Sequence, residues 1–231
     1  MSHAIDRQFL IDNIRFGFGE ALTGPVPPTH VEFYTADVPD TVSYDPERAK
    51  QLLDEAGFKA KDGDKRFTVT LEVAAVDETF PPSGEYIKQA LGKVGIDVQL
   101  RSIDLGGFIK RVYSDWDFDL TMNIFYAMPD PTIGVQRLYW SQNIKKGVPF
   151  SNAGGYSNAE MDEVLEASQT ENDAAKRKTL FHKMQQIAAR DVPVIDLFYV
   201  QFVTIYNKQV KMHTTGAEGT YENFAKVYLE K

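Results

Sequence analysis

A chain of 231 residues that is 43% hydrophobic and 25% charged has room for one large domain or two small ones, and enough apolar mass to bury a core. With 33 acidic against 25 basic residues and a net charge of -8, it offers no electrostatic footprint for a phosphate backbone, so nucleic acid is not an expected partner. The absence of cysteine removes disulfides, thiolate metal ligands and cysteine nucleophiles together while leaving the compartment open, and no run approaches the roughly 18 apolar residues of a membrane span.

The first stretch, MSHAIDRQFLIDNIRFGFG, carries Asp6, Arg7, Asp12 and Arg15 among its apolar residues, so it lacks the unbroken apolar core of a secretory signal. Export would need a signal further upstream. In YDPERAKQLLDEAGF the pattern predicts a helix. Asp45 is a good N-cap, Pro46 suits the first helical position, Ala49, Leu52, Leu53 and Ala56 share a face, and Gly57 ends it. RFTVTLEVAA then reads as a strand, GEYIKQALGKVG as a helix with Ile87, Ala90, Leu91 and Val94 inward, and IDVQLRSI as a second strand. LGGFIKRVYSD is a short predicted helix leading to the strand FDLTMNI. In YSNAEMDEVLEAS, Ser157 and Glu160 have capping-box spacing, with Tyr156 and Met161 placed as a hydrophobic staple. A last helix is predicted from about Asn172 to Arg190, its buried stripe formed by Leu180, Phe181, Met184, Ile187 and Ala188, with Pro193 beyond it. The chain returns extended through PVIDLFYVQFVTIY, and only the tail from about Asn207 is poorly tied to this pattern. Strands separated by helices argue an α/β domain.

Chemistry is sparse. Asp130, in the loop IFYAMPDPTIG, stands after a strand where many α/β proteins place an acid or base; equally, the Pro-Asp-Pro context fixes the backbone and suits a capping aspartate. His3, His30, His182 and His213 are scattered, none at i, i+4 from a second ligand type, so no metal and no cofactor is expected. There is no G-x-S-x-G and no P-loop, and the glycine pairs in LGG and AGG lack the spacing that cradles phosphate. Phe125, Tyr126, Tyr139, Trp140, Phe150 and Tyr156 gather between two helices. They form either an amphipathic binding wall or a core cluster beneath a long loop.

The segments AIDRQFLIDNIRFGFGEALTGPVPP, YDPERAKQLLDEAGF, LGKVGIDVQLRSIDLGGFIKRVYSDWDFDL, GYSNAEMDEVLEAS and KRKTLFHKMQQIAARDVPVIDLFY, in this order and spacing, closely resemble the family 5 extracellular solute-binding proteins. These are the peptide and dipeptide receptors of ABC importers, with nickel- and sugar-binding relatives. The resemblance implies an α/β fold, one lobe of a two-lobed periplasmic-binding-protein architecture (type II, cluster C-like), with a mixed sheet and flanking helices. Residues 1–206 would be the carboxyl-terminal ligand-binding lobe, incomplete at its start, and residues 207–231 a tail returning to a missing amino-terminal lobe. The chain is then expected to be an excised segment, a proteolytic piece or a truncated reading frame of a periplasmic or extracellular protein.

The implied function is capture of a peptide or similar small solute and its delivery to the ABC permease, with no reaction catalysed. A lone lobe supplies half the contacts and is expected to bind weakly, and its exposed interlobe surface to favour self-association. The resemblance places the ligand wall at Ile124, Phe125, Tyr126, Ala127, Met128, Asp130, Trp140, Asn152 and Tyr156. In peptide-binding members an aspartate three residues before the Asp-Pro or Glu-Pro pair grips the ligand α-ammonium, and a tryptophan stands a few residues earlier. Here those positions are Ala127 and Ile124, which shifts weight from dipeptides toward longer peptides, sugars or opine-like solutes. Two other readings are weighed: a hydrolase using Asp130 or Asp196 with a second carboxylate, and a ligand-sensing interaction module.

Overall fold

Asp6 starts the first helix by accepting the Phe9 N–H at 3.0 Å, satisfying a donor that a helix leaves open, and α1 runs Arg7–Asn13. The structure, a computed structural model, describes residues 1–61, 64–126, 130–134, 136–216 and 223–230. After α1 the chain turns through Phe16 and Gly17 into β1 (Gly19–Ala21). α2 (Pro46–Glu55) begins as the spacing predicts: Asp45 accepts from Arg48 N at 2.9 Å, Pro46 occupies the first turn, and Gly57 lies beyond the end at φ 87°.

Three strands follow, each reached through a helix. They are β2 (Phe67–Ala74), α3 (Phe80–Gly92), β3 (Ile96–Ile103), α4 (Leu105–Ile109) with a π-helical turn over Lys110–Asp115, and β4 (Leu120–Met122). α3 starts earlier than the apolar period indicated, because Pro81 and Pro82 fit a first turn whose N–H groups need no partner. β4 is shorter than FDLTMNI, since its ladder covers only Leu71↔Leu120 to Val73↔Met122. The order is β3-β2-β4, all parallel, with β2 in the centre and Phe67↔Ile96 setting the register with β3.

The two faces of β2 bury different partners, as a period of two requires. Leu71 and Val73 pack with Ile87 and Leu91 of α3 and with Leu10 and Leu53. Ala74 packs instead with Phe108, Val112 and Tyr113 of α4 and the π turn. Burying each large apolar side chain contributes roughly 1.5–3 kcal/mol, so these two clusters, not helix propensity, hold the short helices in place.

A third cluster lies between α5 (Ala159–Thr170) and α6 (Ala174–Asp191), with Met161, Leu165, Phe181, Met184 and Ile187 at its centre. The cap of α5 is Asn158, which accepts from Glu160 N and Met161 N, in place of the expected Ser157. The cap of α6 is Asp173, so that helix begins just after the predicted Asn172. Gln185, buried in α6, donates to Phe33 O at 2.8 Å and accepts from Thr35 N at 3.2 Å, docking the 33–35 loop. β5 (Phe198–Val200) returns beside β1, where Gly19 meets Tyr199 O so closely that a β-carbon would lie 3.0 Å from it.

The chain divides into two compact units, Met1–Tyr199 and Val200–Lys231. In the second, β6 (Val210–Lys211) pairs antiparallel with β7 (Tyr228–Leu229).

Arg7 closes the first unit. Only 4% exposed, its Nε donates to Asp196 O at 2.8 Å, Nη1 to Val42 O at 2.8 Å and Nη2 to Ser2 Oγ at 2.8 Å. Burial lowers its pKa, opposed by the charges of Asp196 and Asp40. Burial also pushes the Asp196 carboxyl up to about 7, with the Arg7 charge opposing.

Between pH 4 and 7 folded Asp196 keeps a proton that the unfolded chain, near its ordinary 3.8, has lost, so its contribution falls as pH rises through that window. Asp196→Asn should therefore stabilise by about 2 kcal/mol at pH 8, a value that allows for its remaining solvent contact, and flatten the decline in urea midpoint. Midpoints that stay parallel to wild type across the window would refute this. Separately, Arg177 of α6 donates from Nη2 to both Asp130 oxygens at 2.9 and 2.8 Å and from Nε to Ser168 O at 2.9 Å, its guanidinium over Phe33 and Phe181. Arg177→Ala should cost about 1–3 kcal/mol and speed hydrogen exchange at the Thr132 and Ile133 amides ahead of the core.

Candidate functional site

Parallel strands send their carboxyl ends to one edge, and in open α/β sheets that edge is where ligands bind. Here the Val73↔Met122 register carries Ala74 and Ala75 at the end of β2 in step with Asn123 and Ile124 leaving β4. Asn123 is fixed by donating to the Tyr113 hydroxyl at 2.8 Å, and its own Oδ1 accepts from Ile124 N at 3.0 Å. Burial raises the Tyr113 pKa to about 12, with the Asn123 bond opposing, so this hydroxyl stays neutral at physiological pH. Behind it Tyr113, Phe150 and Phe125 pack in sequence, the first pair tilted and the second edge-to-face, with ring centroids 5.5 and 6.4 Å apart. Tyr126 stands 62% exposed beyond them.

The turn after α1 meets this edge. Arg15 Nη1 donates to Thr79 Oγ1 at 2.8 Å and approaches Asp77 Oδ1 at 3.4 Å. The Thr79 hydroxyl bond chiefly holds the Asp77 carboxyl below its usual range, against partial burial and helped by the Thr79 backbone and Arg15. Among the described residues, the side-chain bonds of Arg15 run through Nη1, and Nε is buried without a hydrogen-bond partner. A guanidinium with an unused edge, on a side chain 15% exposed and next in sequence to exposed Phe16, can receive a planar anion once it swings outward.

The residues expected from sequence separate. Ile124, Phe125 and Tyr126 lie at the carboxyl edge; Ala127 and Met128 lie outside the described residues. Asp130 is occupied. Its partial burial alone would raise the carboxyl, but the bonds from Thr132 and Arg177 outweigh that and hold it lowered, the reverse of a poised acid. Trp140 donates Nε1–H to Glu166 at 3.1 Å. Asn152, 2% exposed, donates to Trp140 O and Tyr156 O and accepts from Tyr156 N. The Tyr156 hydroxyl donates to Asp191 at 2.7 Å. The last three therefore spend their polar groups on the packing around α5 and α6, and the aromatic run divides between the edge and that core.

Sequence reasoning passed over Arg15, Phe16, Asp77 and Thr79. The available signal was the FGFG turn, where Gly17 marks a tight reversal directly after a helix. An open surface cavity of about 570 Å³ beside α6 has Lys183 and Arg190 in its wall, but both pair with Glu160 at 3.2 Å, so it lacks a convergent polar group. Among the described residues no group of three acidic, histidine or cysteine side chains could hold a metal ion.

Comparison with known proteins agrees with this architecture. The oligopeptide-binding protein AppA of Bacillus subtilis is 26% identical over 210 residues, covering 86% of this chain and 37% of AppA. The periplasmic binding protein DppA of Helicobacter pylori, solved with the peptide STSA, superposes over all of this chain and 43% of its own, with a TM-score of 0.79 and 27% identity. An oligopeptide-binding protein of Thermotoga maritima, solved with mannohexaose, covers 87% of this chain and 40% of its own, with a TM-score of 0.74 and 28% identity. The chain thus spans less than half the length of these relatives. The family model "Bacterial extracellular solute-binding proteins, family 5 Middle" matches residues 1–147, well over half the chain, and the chain belongs to that family.

Proposed function

We propose that this chain carries one wall of a solute receptor serving an ABC importer, which captures a peptide or similar small carboxylate-bearing solute and hands it to the permease without chemical change. The observation that carries this reading is Arg15, held at the carboxyl edge through Nη1 among the described residues, with Nε unpartnered and exposed Phe16 next in sequence. A ligand carboxylate that draws the guanidinium outward would satisfy the edge that the fold leaves unused. Ile124, Phe125 and Tyr126 form the adjoining wall, and a place in the periplasm or outside the cell follows the family.

Residues to about 206 belong to the ligand lobe in this reading, and residues 207–231 would return to the amino-terminal lobe of a longer protein. Val203, Ile205 and Tyr206 are 62%, 94% and 56% exposed, the surface expected of a segment that another lobe covers.

Binding to this chain alone is expected to be weak, since closure gains affinity only when both lobes touch the ligand. In an amide-shift titration, Ala-Ala-Ala should move the Gly17 and Asn123 signals with a millimolar Kd, and Arg15→Gln should weaken it about tenfold or more. Micromolar heats from a peptide mixture would refute weak binding; an Arg15→Gln titration matching wild type would refute the anion contact. Sedimentation should also show concentration-dependent association that Ile205→Lys reduces, and a monomer at all concentrations would remove the interlobe-surface reading.

A further inference from the structure

Phe16 is placed where the fold gains nothing from it. Its φ is 55°, in the left-handed region that costs a bulky residue conformational energy, and its side chain is 79% exposed. The turn itself demands this backbone. Arg15 N bonds to Leu10 O at 3.0 Å, Gly17 N to Ile11 O at 2.9 Å and Phe18 N to Arg15 O at 2.9 Å, so the reversal is locked on both sides of residue 16. Glycine or asparagine would meet the same geometry with less strain and no apolar exposure. Strain of this kind persists where surrounding structure over-determines it, and such outliers cluster at ligand clamps.

The place of Phe16 in the turn says what it would touch. Phe16 adjoins Arg15, whose guanidinium is fixed on Thr79 and beside Asp77 at the carboxyl edge, with Val76 and Phe18 also exposed, at 52% and 47%. Resting on the carboxylate reading of Arg15, we propose that Phe16 is a specificity-determining residue that packs against the side chain on the carbon bearing the ligand carboxylate. The preferred solutes are peptides ending in an aromatic or large apolar residue. The charge and the apolar group of one ligand residue are then read by two adjacent residues of one rigid turn.

Amide-shift titrations of the full chain with Ala-Ala-Phe and Ala-Ala-Ala test this. The wild-type chain should bind Ala-Ala-Phe about tenfold more tightly, the scale expected for partly burying a phenyl group. Phe16→Asn should bring the two peptides to within about twofold, the larger loss falling on Ala-Ala-Phe, with the melting temperature equal or higher; Phe16→Leu should keep part of the preference. Equal binding of both peptides by wild type, or a preference that survives Phe16→Asn, overturns the assignment while leaving the carboxylate reading standing. If neither peptide moves the Gly17 or Asn123 signals, the carboxylate reading fails and takes this inference with it. A change in sedimentation of Phe16→Asn without a change in selectivity also overturns it, marking the ring as a protein contact.

Discussion

The buried guanidinium of Arg7 is the constraint on which the first unit depends. Three segments far apart in sequence, Ser2–Ile5, Val42 and Asp196, each supply it with an oxygen, and none of those carbonyls is free to move without leaving a charge unsolvated. Removing a cation from water is tolerable only when its donors are met, so α1, the 40–42 loop and the approach to β5 are fixed together or not at all. Because α1 is held, its carboxyl-terminal turn is held, and that turn delivers Arg15 and Phe16 to the sheet edge. Asp196 shows the other side of the same arrangement: its backbone oxygen serves Arg7 while its own carboxyl is left in surroundings that favour the proton.

The sheet turns that fixed frame into a one-sided surface. With β2 central and every pairing parallel, connections lie on alternate faces and the strand ends collect at one edge. A second charged knot keeps the β2–π turn contact from slipping. Glu72, fully buried on β2, accepts from Arg101 of β3 at 3.0 Å and from Arg111 of the π turn at 3.5 Å, and both arginines reach Asp117. Its other oxygen has no hydrogen-bond partner, so the knot is incompletely satisfied and specifies position more than it adds stability. Arg111 and Tyr113 share the π turn, and through Tyr113 the same turn fixes Asn123 at the edge.

What was legible in the residues was whatever is decided locally. Asp45-Pro46 and Gly57 marked α2 because capping and φ restriction act within a few residues, and the stripes of α3 and α6 followed from burial on one face. The α5 cap moved from Ser157 to Asn158 because two oxygen-bearing side chains competed for the same amides and the tertiary bond of Asn158 to Asp191 favours the second. Asp130 could not be read. Its role depends on Arg177, distant in sequence, and on the two rings that flank that arginine. Trp140, Asn152 and Tyr156 are similar cases, polar groups whose partners only the fold supplies.

The distinction between structural and binding charges therefore rests on what remains after the fold has met its own needs. Arg7 and Arg177 are both arginines in polar pockets, but each uses more than one face of its guanidinium inside the protein. Arg15 uses one nitrogen and buries another without a partner. Leaving a donor unmet costs about 1–3 kcal/mol, and holding the next residue in the left-handed region adds to that cost, so adjacent positions 15 and 16 both work against the stability of the lobe. Two neighbouring departures from local preference, in a turn closed by backbone hydrogen bonds from Arg15, Gly17 and Phe18 and tied to the carboxyl edge of a parallel sheet, are what a recognition element looks like before its ligand arrives.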